Sequence, residues 1–179
     1  MLVEQDLQLS KKPLRDIVWE RSHDYGAKAA NEEVEVVINL AKQASLVVGN
    51  AAALPENLSE KRKGGILAIG LRDASWAPIS RQIGEVRRRK VNKYTTDALE
   101  KADRLIKHES VAEGIAFENG WVVSFFGFAP DIDEAVVLAI GIKLGFTTEQ
   151  KTDKLAIELG NKSWKEVKVK LLQAGQNIT

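Results

Sequence analysis

The sequence predicts an α+β fold, with helices packed on a small, largely antiparallel sheet and two further helices after it. Three observations predict it. Apolar residues recur at three- and four-residue steps from Glu32 to Val48, the period of a helix with one buried face. The short run GILAIGL, Gly65 to Leu71, is bounded by glycines and by Arg72-Asp73 and has the length of a buried strand. Asn119-Gly120 joins two apolar runs in GIAFENGWVVSFFGF, as in a tight hairpin.

Residues 1–30 lack clean periodicity and read as an N-terminal arm, with one short helix near Leu14 to Trp19. In the first main helix Val34, Val37, Ile38, Ala41 and Val48 form the apolar face. Asn31 stands where an N-cap belongs, Glu32 and Glu33 suit the positive end of the dipole, and Gly49 is the expected stop. A strand over Ala44 to Ala53 competes with that helix ending. ALPENLSEKRKGG reads as an exposed loop.

After the Gly65–Leu71 strand, a helical stretch is expected from about Ile79, with Ile79, Ile83, Val86 and Tyr94 along one side. KYTTDALEKADRLIKHE reads as a restart, capped by Thr95 or Thr96, with Leu99, Ala102 and Ile106 inward. Asn119-Gly120 predicts a type I′ turn. Trp121 to Phe128 is apolar on both faces apart from Ser124, so this strand should be covered on both sides. The helix after Pro130 is apolar nearly all round, from Ala135 to Ile140, and should be sandwiched. Gly145 ends it. Thr147 with Gln150, and Ser163 with Glu166, fit capping boxes for the last two helices, the first stopping at Gly160 and the second carrying Trp164, Val167 and Leu171 inward. The implied organisation is an arm (1–30), a layered domain (31–146) and a C-terminal helical extension (147–179) packed on the same domain.

Composition narrows the function. The chain has 179 residues, 28% of them charged, and a net charge of +1, so nothing directs it as a whole to nucleic acid or membrane. It has no cysteine, which removes thiol catalysis, disulfides and sulfur-ligated metals. The start MLVEQDLQLS is not a signal peptide and no run reaches ~18 apolar residues, so a cytoplasmic protein without a membrane span is expected. Charge is uneven: residues 61–107 hold thirteen Lys/Arg and five Asp/Glu, a balance of +8, against −7 elsewhere. An anionic ligand or an acidic surface of the same protein would match that segment.

Candidate chemistry is sparse. PDIDEA places Asp131, Asp133 and Glu134 together, yet the start of a helix explains all three: proline at the first position, Asp131 and Glu134 as a capping box, and acids at the positive dipole end. His108 ends a helix, where a cation suits the dipole. His23 lies in the arm between Trp19 and Tyr25. RRRK, Arg87 to Lys90, reads first as a solvated face and second as a contact for phosphate, nucleic acid or haem propionates. No nucleic-acid motif accompanies it, and there is no Walker, GxGxxG or GxSxG motif.

Three pieces in order resemble the GlcG/HbpS/PduO C-terminal family, whose members are described as haem-degrading or haem-binding. LAIGLRDASW is similar to its second strand and R-x-D-G-[AS] turn, with Ala74 in place of the turn glycine. VNKYTTDAL resembles its KA-x-TA helix segment through Lys93 and Thr95. NGWVVSFFGFAPDIDEAVVLA resembles its closing hairpin and final helix through Gly127, Asp133 and Glu134, with bulky Phe126 and Phe128 where the family has small residues. The resemblance spans residues 66–141. It implies a profilin-like or PAS-like α/β/α sandwich, a homo-oligomer, and binding of haem or another small anionic ligand in an accessory or sensing role. It implies Arg72, Asp73 and Lys93 as ligand contacts and His23 or His108 as candidate haem axial ligands, with no separate metal site. The alternatives are a cofactor-free interaction or scaffold module of the same fold, and an enzyme acting through Asp133, Glu134 or Arg72.

Overall fold

A computed structural model describes residues 31–74 and 76–175, so the arm, its Leu14–Trp19 helix and His23 lie outside the described residues. The elements are α1 (Asn31–Ala52), α2 (Glu56–Ser59), β1 (Lys63–Leu71), β2 (Ile79–Glu85), α3 (Arg88–Ile106), β3 (Gly114–Ala116), β4 (Trp121–Phe126), α4 (Pro130–Lys143), α5 (Glu149–Leu159) and α6 (Trp164–Leu172). The four strands form one antiparallel sheet in the order β2-β1-β4-β3, the α+β architecture expected, with α5 and α6 as its C-terminal additions.

Strand alternation divides the core in two. Leu67, Ile69, Leu71, Trp121, Val123 and Phe125 face one side and pack with α1, α4 and α6. Ile66, Ala68 and Val122 face the other, against Ala98, Ala102, Leu105 and Ile106 of α3. The α3 side is built of small groups, so the helix lies close: a Cβ on Gly70 would sit 2.8 Å from Ile106 Cδ1, and Ser124 Oγ donates to the Ala98 carbonyl at 2.6 Å. On the opposite side α4 is enclosed as its composition demands, every residue from Ala135 to Ile140 being fully buried.

Several expectations are corrected. Residues 79–85 are a strand, not the start of a helix, and α3 runs unbroken through Thr95 and Thr96. The cause is an ambiguity of spacing: Ile79 and Ile83 are four apart, which satisfies period 2 as well as period 3.6. In β2, at the edge, Ile83 is buried and Ile79 half-buried. The first helix continues through Gly49 to Ala52, and no strand forms at Ala44–Ala53. Val47, Val48 and Ala51 are buried there, and Asn50 Nδ2 donates to the Leu171 and Gln173 carbonyls at the end of α6. That packing outweighs the ~1 kcal/mol a helical glycine costs. The expected loop at 53–65 contains the single turn α2, and its last three residues begin β1.

The hairpin is present but its turn differs. Phe117 N–H donates to Trp121 O and Gly120 N–H to Phe117 O. Gly120 has φ +93° while Asn119 does not have positive φ. This is a three-residue loop with glycine at the bulge, rather than type I′.

Helix starts are also reassigned. Ala129 is the N-cap of α4, so Asp131 and Glu134 form no capping box. Thr148, not Thr147, caps α5, accepting from Lys151 N–H at 3.2 Å. At α6 Ser163 makes no cap bond. Asn161 does so instead: its Oδ1 accepts from Trp164 N–H, and its Nδ2 donates to the Asp131 carbonyl and to Glu134 Oε1, each at 2.9 Å. One buried amide therefore fastens the extension to the start of α4. Asn161→Ala should lower stability by about 1–3 kcal/mol by stranding these groups, whereas Ser163→Ala should stay within about 0.5 kcal/mol. Urea unfolding of both variants checks this, and equal effects would contradict it.

Candidate functional site

A cleft with concentrated positive charge lies at the end of the sheet where β1 starts and β2 stops. Its volume is about 210 Å³ and its walls include Lys61, Arg62, Lys63, Arg87, Lys90 and Tyr94, with Glu85 the one acid among the lining residues. The hairpin of β1 and β2 builds it. Lys63 pairs with Glu85 across the ladder, so the basic residues before β1 meet those that open α3.

Backbone crossing makes the floor. At Gly64, Gly65 and Gly127 a Cβ would collide with backbone: at Gly64 with the Ile83 carbonyl, at Gly65 with the Phe126 carbonyl and at Gly127 with the Gly64 carbonyl. Glycine is the one residue that admits this approach. Gly127 then joins two ionisable side chains, Arg62 and Asp133. Its carbonyl accepts from Arg62 Nη1 at 3.3 Å, and the same nitrogen donates to the Tyr94 hydroxyl at 3.0 Å. Its N–H donates to Asp133 Oδ1 at 3.1 Å, and Phe128 N–H reaches that oxygen at 2.7 Å. Arg62 Nε is buried without a hydrogen-bond partner among the described residues.

Electrostatics sharpen the cleft. α3 has no side-chain cap and no acid in its first turn. Its free N–H groups and dipole are positive, and Arg87, Arg88, Arg89 and Lys90 add four cations there. Lys61 is paired with Glu56 at 3.4 Å and Arg62 lies 3.8 Å from Glu60. Lys63, Arg87 and Lys90 have no carboxylate partner among the described residues.

The residues the sequence singled out do not converge on this cleft. Arg72 is at the far end of β1, about 30 Å along the strand from Lys63. Its Nε donates to the Leu105 carbonyl at 2.9 Å, fastening the end of α3 to the sheet. Asp73 is exposed in the adjoining turn with φ +67°. Lys93 lies near the cleft but points to Asp97, 2.9 Å away, and does not line it. His108 is exposed beyond the end of α3 with φ +64°. Asp133 is buried beneath the cleft floor and Glu134 is bound to Asn161, so Asp133, Glu134 and Arg72 do not share a site. Among the described residues no group of three or more His, Asp or Glu is placed to hold a metal ion.

Two basic runs, EKRK and RRRK, were the signal for the true cleft. Their adjacency depends on residues 79–85 being a strand paired with β1 rather than a helix.

Asp133 gives the site a pH dependence. Burial pushes its carboxyl up to about 8, against the two backbone N–H groups that hold it down. The unfolded chain releases that proton near pH 3.9, so between about pH 4 and 8 the folded state binds more protons and stability falls as pH rises. Asp133→Asn keeps an acceptor for both N–H groups and does not titrate. Urea unfolding across that range should show the wild type losing stability relative to Asp133→Asn as pH increases; parallel profiles would contradict the assignment.

No protein-family model, curated protein or solved structure matches this chain.

Proposed function

We propose that this chain is a homo-oligomeric binding domain for a small anionic ligand, seated in the basic cleft between β1, β2 and the start of α3. The observation that carries the reading is the set of three cations, Lys63, Arg87 and Lys90, without a carboxylate partner among the described residues, around a helix start with no side-chain cap. Like charge at the positive end of a helix is unfavourable, and an anion reverses the sign of that interaction. Cations held apart from carboxylates leave the attraction available to a ligand. The cleft volume of about 210 Å³ is below the ~300–1,000 Å³ of pockets that enclose drug-sized molecules. The fit is therefore to a small anion, or to the charged end of a larger one. The resemblance to the GlcG/HbpS/PduO C-terminal family supports an accessory or sensing role.

The haem version of this reading is constrained by distance. Lys90 and His108 are separated by the length of α3, about 27 Å, more than one porphyrin spans. A haem whose carboxylates met the cleft would not reach His108, and the described residues do not fit a haem held by both.

Calorimetry with inorganic pyrophosphate tests the cleft. The wild type should bind, more weakly as salt rises, and Lys63→Glu and Lys90→Glu should each raise Kd by about tenfold or more. Binding that is absent from the wild type, or indifferent to both variants, would overturn the reading.

A further inference from the structure

The opposite edge of the sheet carries a second surface. Among the described residues β3 pairs with β4 on one side and has no strand on the other. Phe117 N–H bonds to Trp121 O, and Phe125 N–H to Glu113 O. The backbone groups of Glu113, Ile115 and Phe117 therefore face β4, and those of Gly114 and Ala116 face outward. Helix α5 stands beside this edge and leaves a cleft of about 360 Å³, whose lining includes Ile115, Phe117, Lys154, Leu155 and Glu158. Directional backbone donors and acceptors along a slot select an extended strand.

The charges on the slot identify whose strand. Lys151 is already paired with Glu118 at 3.0 Å. Lys154 and Glu158, one helical turn apart, have no salt-bridge partner among the described residues. An acidic or a basic peptide would satisfy one and repel the other. Ile157, on the same helix, is 80% exposed. One cation and one anion without salt-bridge partners among the described residues form a self-complementary pair, with exposed Ile157 on the adjoining face of the helix.

We infer that a second copy of this chain occupies the slot, with the two β3 strands antiparallel about a two-fold at Ile115. In that register Gly114 of each copy exchanges backbone hydrogen bonds with Ala116 of the other, and the sheets become continuous. The two-fold sets the α5 helices across the axis, with Lys154 of each copy against Glu158 of the other and Ile157 covered. This deepens the homo-oligomer part of the proposed function by naming the face.

Sedimentation equilibrium on the full chain tests it. The wild type should be a dimer. Ala116→Pro removes an outward N–H and no bond to β4, so it should give a monomer with an unchanged far-UV spectrum. Lys154→Glu and Glu158→Lys, both at exposed positions, should each raise the dimer Kd about tenfold, and the double variant should return it to within a few-fold of wild type. The charge series decides the matter should Ala116→Pro fail to fold. A dimer whose Kd ignores the single charge changes overturns this face and leaves the homo-oligomer reading standing. A wild type that is monomeric at every concentration overturns both.

Discussion

The crossing of three glycine-bearing segments at the end of β4 is the constraint on which the rest depends. A Cβ on Gly127 would meet the Gly64 and Gly65 backbone, one on Gly65 the Phe126 carbonyl, and one on Gly64 the Ile83 carbonyl of β2. Because the chain passes there, Gly127 presents its carbonyl to Arg62 and its N–H to Asp133. Asp133 sits in the first turns of α4, so the same contact sets where the central helix begins. Arg62 is drawn toward Tyr94, which ties the segment before β1 to α3. The floor of the cleft, the start of the core helix and the placement of the basic helix are consequences of one close approach.

The two ends of the sheet are then unlike. At one end the positive start of α3 gathers Arg87 and Lys90 beside Lys61 and Lys63. At the other, Arg72 supplies a cation to the last carbonyls of α3, where it complements the dipole. The first arrangement leaves charge unsatisfied and the second consumes it. A ligand-binding argument belongs to the first end, even though the Arg72-Asp73 turn carried the family resemblance.

Much of the fold was legible because burial leaves a period in the sequence. β1, the β3–β4 strand pair, the all-apolar α4 and the Trp164-Val167-Leu171 stripe follow from pattern alone, although the turn of the hairpin does not. The edge strand β2 was not, since one side of an edge faces solvent and its two isoleucines fit helix and strand equally. Capping failed for a related reason. Asp131, Glu134 and Ser163 have the right types at the right spacing, but tertiary partners won: Asn161 takes Glu134 and Trp164, and Asp133 serves the loop before its own helix. The cleft was half legible. Both basic runs are visible as composition, while their adjacency needs the β1–β2 pairing.

The central claim is that the basic cleft, rather than the Arg72-Asp73 turn, meets an anion. Amide chemical shifts followed by ¹⁵N NMR during titration with inorganic phosphate test it most directly. The account predicts saturable shifts at Gly64, Gly127 and Arg88 to Lys90, with the amides of Arg72, Asp73 and His108 unmoved. Shifts centred on the turn at Arg72 and His108, with a silent cleft, would contradict it.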